Sequence, residues 1–395
     1  MSETIVRIAA RGDGVTASGR HFTLAAPGDR VHEDGTIEAG AGRRVPPCRH
    51  FPECGGCRLQ HLTDEAFARY CEERIAGALA QHGLVAEIRP ALLSPPRARR
   101  RATLHALRSG GGIAIGFHQA GTKRVVDMRE CHVLAPELFA LVAPLRRLLA
   151  TMLEARRTAT VQMTLADQGV DLGLAGVDAQ GLAAAEALIA FGEGQGLARL
   201  GVDEGFGAET RFEPLPVSVT LAGVPVQLPA GAFLQATREG EAALVAAARE
   251  AVGGSARIAD LFAGLGTFAL SLDAEVVAVE AAREPILALR DAAKRAGRRV
   301  TAAHRDLYRN PLRREELAGF DAAVLDPPRA GAAEQVAQLA GSAMKRIAYV
   351  SCNPATFARD AETLVAGGYV LQWVQPVGQF RWSTHVELAA SFSRG

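Results

Sequence analysis

Ile258-Ala-Asp-Leu-Phe-Ala-Gly-Leu-Gly-Thr-Phe268 decides the fold. The apolar run around Asp260 reads as a buried strand, Gly264-Leu-Gly266 as a tight turn, and Thr267-Phe268 as the start of a helix. Glycines there let the backbone come close to a ligand. The third glycine of Gly-x-Gly-x-x-Gly is missing, which argues against a pyrophosphate cradle. Working outward, apolar strands are expected at 256–260, 276–280, 322–326 and 346–351, each followed by a helix-like run. Such alternation implies a parallel sheet covered on both faces. Two further strands, at 370–374 and 386–391, have no long helix between them. The fold expected is therefore α/β, a doubly wound sheet whose last strand is antiparallel.

The glycine turn does not stand alone. Glu280 ends the second strand, 20 residues after Asp260, where a carboxylate can accept both hydroxyls of a ribose. Asp306 falls just past the third strand position, within reach of an adenine. Together these features resemble the class I methyltransferases, which implies S-adenosylmethionine as cofactor. A domain built for another nucleoside, such as NAD, is the alternative.

Two motifs follow the next strands, Asp326-Pro-Pro-Arg329 and Ser351-Cys-Asn-Pro354. In an open α/β sheet both lie at the carboxyl edge, beside the cofactor crevice. Amino-methylating relatives carry an aromatic residue after the two prolines. Arg329 takes that place here, and a cysteine stands one strand away, which moves the expected chemistry from nitrogen to carbon. Carbon 5 of uracil is too weak a nucleophile to take a methyl unaided. Addition of a thiolate to carbon 6 makes an enolate that can, after which a base removes the carbon-5 proton and the thiol leaves. Cys352 is the candidate nucleophile and Glu387, opening the last strand, the candidate base. Asp326 can accept from the uracil N3–H or position the cofactor.

Upstream, Cys48, Cys54, Cys57 and Cys71 crowd together, with Cys131 following at a distance. Four thiolates suit an iron–sulfur cluster or zinc, and spacing alone does not choose. No acidic residue lies between Glu87 and Asp127, whereas Arg89, Arg97, Arg99, Arg100, Arg101, Arg108, Lys123 and Arg124 do. With a net charge of only +1 overall, this reads as a localised phosphate-binding face. A strand there would carry Arg99 and Arg101 on one side. No run approaches the ~20 apolar residues of a membrane helix, and a cytoplasmic protein is expected.

Asp326-Pro-Pro-Arg-Ala-Gly-Ala332 and Tyr349-Val-Ser-Cys-Asn-Pro-Ala-Thr356 together resemble the RNA uracil-5-methyltransferases, and specifically their iron–sulfur 23S rRNA branch. The resemblance runs from about Cys48 to Phe392. It implies Cys352 as nucleophile and Glu387 as base, with Gln235, Phe262, Gly264, Gly266, Glu280, Asp306 and Asp326 around the cofactor. It also implies a [4Fe–4S] cluster on Cys48, Cys54, Cys57 and Cys131, leaving Cys71 to pack a helix. Substrate contacts are expected from Asp326, Arg329, Arg99 and Arg101.

Two departures stand out. Only 47 residues precede Cys48, so an N-terminal RNA-binding barrel of the TRAM type must be shortened. Phe380-Arg-Trp-Ser383 replaces a Phe-Pro-His-Thr segment, putting Arg381 and Trp382 at the expected substrate mouth. Domains are expected at 1–47 (β-rich), 48–94 (cysteine segment and helix), 95–237 (central, RNA-binding) and 238–395 (methyltransferase). The expected partner is RNA, 23S rRNA above all, with no membrane, no DNA and a monomeric state. The alternatives are a tRNA T-loop enzyme of the same chemistry and a non-catalytic RNA-binding assembly factor.

Overall fold

The computed structural model describes residues 2–110 and 112–395. Met1 and Gly111 lie outside them; Gly111 is the middle of Gly110-Gly-Gly112, around which the alternation of basic and apolar residues over 95–130 suggests a β-hairpin. The chain forms two compact units. One comprises Met1–Pro46, Leu59–Ser94 and Glu239–Gly395, the other Pro47–Arg58 and Pro95–Arg238. The segment 48–94, expected as one piece, is thus divided: its cysteine loop belongs to one unit and its helix to the other.

The first unit is built on the strands β1 (Arg257–Leu261), β2 (Glu275–Glu280), β3 (Val300–His304), β4 (Ala322–Leu325), β5 (Arg346–Ser351), β6 (Val370–Gly378) and β7 (Glu387–Ser393). They lie in the order β3-β2-β1-β4-β5-β7-β6, and Glu87–Ile88 and Leu92–Leu93 extend the edge alongside β6. β4 is buried at every residue and β5 at all but its first, as strands covered by helices on both faces must be. β1 to β5 run parallel, while β7 runs antiparallel between β5 and β6. The helix Pro354–Ala366 starts directly after β5 because Asn353 caps it and Pro354 fits its first turn. The helix Asp64–Ala80 buries Phe67, Tyr70, Cys71 and Ile75 in the same core. Cys71 is a packing residue, its thiol pushed up to about 12 by burial.

Five short strands between Glu3 and Glu38 make a separate antiparallel sheet, fewer residues than a full barrel would use. Its turns are held by Asp29, fully buried, which accepts from the backbone of Ala26 and Gly40 and pairs with Arg43.

The second unit holds a six-stranded sheet. Its central pairs join Arg101–Ser109, Thr158–Ala166, Gly169–Ala175 and Arg199–Asp203. The helices Val142–Met152 and Leu182–Gln195 bury apolar residues in its core. Among the described residues no helix is long and apolar enough to cross a membrane.

Candidate active site

β1 ends in a constrained turn. Phe262 adopts a left-handed φ of 65°, followed by Gly264 at 54° and Gly266 at 89°. A Cβ on Gly266 would stand 2.3 Å from Leu289, whereas one on Gly264 would meet nothing within 4 Å. The turn is therefore packed on one side and open on the other, as a ligand cradle requires. Glu280 accepts from the backbone N–H of Gly264 at 3.0 Å and of Ala282 at 2.7 Å, fixing its carboxylate at the edge of the turn. Asp306 caps the turn after β3 by accepting from Tyr308 N–H, and the Tyr308 ring lies 5.5 Å from that of Phe262. Asp260 is fully buried below, and one oxygen accepts from Ala269 N–H at 2.9 Å. Its other oxygen has no hydrogen-bond partner. Burial, with Asp326 and Glu280 adding repulsion, pushes Asp260 up to about 8. An unsatisfied buried carboxyl beside an open cradle fits a site that takes up a cationic ligand.

Register brings two of the candidate groups together. In β7, Leu388 pairs with Ser351 of β5. One step past that pair, Glu387 comes opposite Cys352, an arrangement available only because β7 is antiparallel. On the other flank Leu325 pairs with Leu261, and the Asp326 N–H donates to the Leu261 carbonyl at 3.2 Å. Asp326 thus opens the neighbouring strand end, between the glycine turn and Cys352.

The electrostatics are one-sided. Burial first, then the charges of Glu387 and Asp326, push the Cys352 thiol up to about 11, while Arg329 acts in the opposite direction. Glu387 is 5% exposed, and burial together with Asp326 raises it to about 8, against a hydrogen bond from Gln379. This raised value links ionisation to stability. An unfolded Glu387 ionises near 4.5, whereas the folded one stays neutral until about 8, so native stability declines as pH climbs through that window. Glu387→Gln has no such penalty. Its gain in melting temperature over the parent is expected to be small near pH 5 and several degrees larger at pH 8.5, read by calorimetry; a gain independent of pH would contradict the assignment.

Other expected site residues fall differently. Arg381 and Trp382 do not line a mouth: they are 8% and 1% exposed. Arg381 pairs with Asp64 and donates to the Ser94 carbonyl at 3.0 Å, and Leu59 N–H donates to the Trp382 carbonyl. Both are turned inward, where they tie the chain's earlier segments to the core. Gln235 belongs to the second unit, where it is 3% exposed and its carbonyl accepts from Arg100.

The arginine run also departs from expectation. Only Arg101 begins a strand. Arg99 donates to the Arg101 carbonyl at 3.0 Å, Arg101 to the Leu234 carbonyl at 3.3 Å, and Arg101 stacks 4.8 Å from Phe233. Both guanidiniums are half-buried and bonded to backbone carbonyls, so the expected phosphate contacts from Arg99 and Arg101 would have to be made from partly covered side chains. Arg97 and Lys123 are exposed, and Arg124 reaches Glu53 at 3.5 Å.

Cys48, Cys54 and Cys57 sit on a loop stitched to the rest of the second unit. Gly55 N–H donates to His118, Ala120 N–H to Glu53, and Arg129 N–H to the His50 ring. Cys48 and Cys54 each feel the charge of Cys131, and Arg99 feels those of Cys57 and Cys131. Among the described residues, no three His, Cys, Asp or Glu side chains are grouped so as to hold a single metal ion.

An open sheet in this strand order, with its crevice at the glycine turn, has the class I methyltransferase fold. The profile of the tRNA (uracil-5-)-methyltransferases matches residues 301–394. An RNA methyltransferase of Zymomonas mobilis is 49% identical over 99% of both chains. The 23S rRNA (uracil(1939)-C(5))-methyltransferase RlmD of Halomonas elongata is 35% identical, over 91% of this chain and 78% of its own. The structure of Pyrococcus abyssi tRNA (uracil-54, C5)-methyltransferase with S-adenosyl-L-homocysteine superposes with a TM-score of 0.75, at 23% identity, covering 99% of this chain and all of the other. The chain belongs to the RNA uracil-5-methyltransferases, and its activity is S-adenosylmethionine-dependent methylation of RNA at uracil C5.

Proposed function

We propose that this enzyme methylates carbon 5 of a uridine in 23S rRNA through a covalent adduct between Cys352 and carbon 6. The observation that carries the chemistry is the pairing of a strand-end thiol with a buried carboxyl in register across β5 and β7. The 35% identity to RlmD favours ribosomal over transfer RNA. Phe262, Gly264, Gly266, Glu280 and Asp306 would hold the cofactor, with Gln235 added on family resemblance alone. S-adenosylmethionine supplies an electrophilic methyl group and a positive charge.

This chain's own groups do the rest. Cys352 loses its proton to solvent and bonds as the thiolate to carbon 6, which leaves carbon 5 as an enolate carbon. Asp326 holds the uracil ring at N3–H. Arg329, exposed at the same edge, meets the RNA and offsets the negative charge around the thiol. Once carbon 5 is methylated, Glu387 in its ionised form, favoured when the positively charged cofactor is bound, takes its proton, the ring double bond re-forms, and Cys352 departs. Arg97, Lys123 and Arg124 are assigned to backbone phosphates. Incubating the enzyme with 23S rRNA and with total tRNA, then mapping 5-methyluridine, tests the target; methylation of tRNA alone would overturn the ribosomal assignment.

For the second unit we infer a [4Fe–4S] cluster on Cys48, Cys54, Cys57 and Cys131. Its support is that all four lie in one compact unit, where Cys48 and Cys54 feel the charge of Cys131 and the Arg99 guanidinium feels those of Cys57 and Cys131. Protein purified without oxygen is expected to be brown, with about four irons and four sulfides per chain. Stoichiometric zinc in colourless protein would overturn the inference.

A further inference from the structure

The loop Arg329–Ala332 has no regular structure, yet each of its four residues has a backbone group held by a side chain. The Arg329 carbonyl accepts from Asn353 Nδ2 at 3.1 Å and from Thr356 Oγ1 at 3.2 Å. The Ala330 carbonyl accepts from the Arg359 guanidinium at 3.0 Å, and the Gly331 carbonyl from the Tyr308 hydroxyl at 2.9 Å. Ala332 N–H donates to Asp360 Oδ2 at 2.7 Å. Asp360 is 1% exposed and also takes the Tyr349 hydroxyl at 2.5 Å and both Nε and Nη2 of Arg359. The fit is close: a Cβ on Gly331, at φ 82°, would lie 2.5 Å from Arg359 and 2.7 Å from Asp360.

Four of these five side chains come from one stretch. Asn353 caps the helix Pro354–Ala366, and Thr356, Arg359 and Asp360 follow at steps of three and four that share a helix face. That helix begins one residue after Cys352 plus its cap, so whatever holds the loop also holds the nucleophile. A loop this short needs no such set of side chains merely to connect β4 to the next helix.

We propose that Thr356, Arg359 and Asp360 are positioning residues, which fix Asp326 and Arg329 relative to Cys352 by clamping the Arg329–Ala332 backbone to the helix that carries the thiol. The proposal rests on the reading of Cys352 as nucleophile. None of the three touches the reacting atoms. They act through Arg329, whose charge opposes the two carboxylates at the thiol. A displacement of about an ångström at a reacting pair is enough to cost an order of magnitude or more in rate.

The test compares Thr356→Val with Thr356→Ser in the full-length enzyme. Thr356 is only partly buried, so neither change endangers the core, unlike Asp360→Asn. For Thr356→Val, kcat is expected to fall about tenfold while KM for RNA and the Kd for S-adenosylhomocysteine stay within about twofold. The pH midpoint for iodoacetamide alkylation of Cys352, followed on its own peptide by mass spectrometry, is expected to rise as Arg329 moves off. Thr356→Ser keeps the hydroxyl and is expected to restore both kcat and midpoint. Parental turnover in Thr356→Val, an unmoved midpoint, or a loss that serine does not repair would overturn the proposal. An active Cys352→Ala enzyme would instead overturn the underlying reaction, whatever Thr356 does.

Discussion

Cys352→Ala is expected to abolish methylation, with turnover reduced by at least about ten-thousandfold, while S-adenosylhomocysteine still binds within a few-fold of the parent affinity. The sulfur is needed to make carbon 5 nucleophilic, and no other thiol stands at that edge. The nearest alternative in sequence, Cys131, lies in the other unit. Cofactor binding is expected to survive because the groups proposed to hold it, from Phe262 to Asp306, are fixed by their own backbone contacts. Single-turnover methylation with tritiated cofactor, beside calorimetric binding, separates the two effects. A variant that still methylates at a measurable fraction of the parent rate would sink the adduct mechanism.

Glu387→Gln should fail at a later stage. The amide preserves shape and the Gln379 neighbourhood but cannot take the carbon-5 proton. Addition and methylation can proceed, elimination cannot, and the enzyme is expected to stay bonded to its RNA. On a denaturing gel this is a slow-migrating band that carries both label and protein and disappears after nuclease treatment. The same change removes one of the two carboxylates that raise the Cys352 thiol, so iodoacetamide should alkylate Cys352 at a lower pH than in the parent. Release of fully methylated RNA at the parental rate would move the base to another residue.

How much of this was legible in the sequence depended on the kind of signal. The parallel core could be read because strands such as Ala322–Leu325 are continuous apolar runs, a pattern surfaces do not produce. Asp260, Gly264 and Glu280 could be placed because chemistry at strand ends follows chain order. The strand Val300–His304 is only half-buried and offers no such run, which is why only its position was expected. Gly169–Ala175 and Arg199–Asp203 were not anticipated for a related reason: Asp171 and Gly173 interrupt the first and Gly201 the second, so neither is a continuous apolar run. Trp382 and Arg381 misled because they were placed at the substrate mouth by their position in the segment that replaces Phe-Pro-His-Thr. Their burial is set by the early segments around Leu59, Asp64 and Ser94, which sequence order places more than 280 residues away. Which members of the arginine run face solvent was not legible, since residue counts cannot tell a guanidinium facing solvent from one facing a carbonyl. Thr356 and Asp360 could have been found. With Asn353 they recur at helical spacing directly after Cys352, a polar face on a helix whose other face is apolar.

The high thiol value at Cys352 bears on how the protein survives in the cell. Peroxides and adventitious electrophiles attack thiolates, not thiols, and a resting Cys352 held near 11 exposes almost none at neutral pH. Burial, more than the neighbouring carboxyl groups, delays its ionisation and so acts as chemical shielding. The enclosure that keeps the sulfur protonated at rest thereby also keeps it from oxidants.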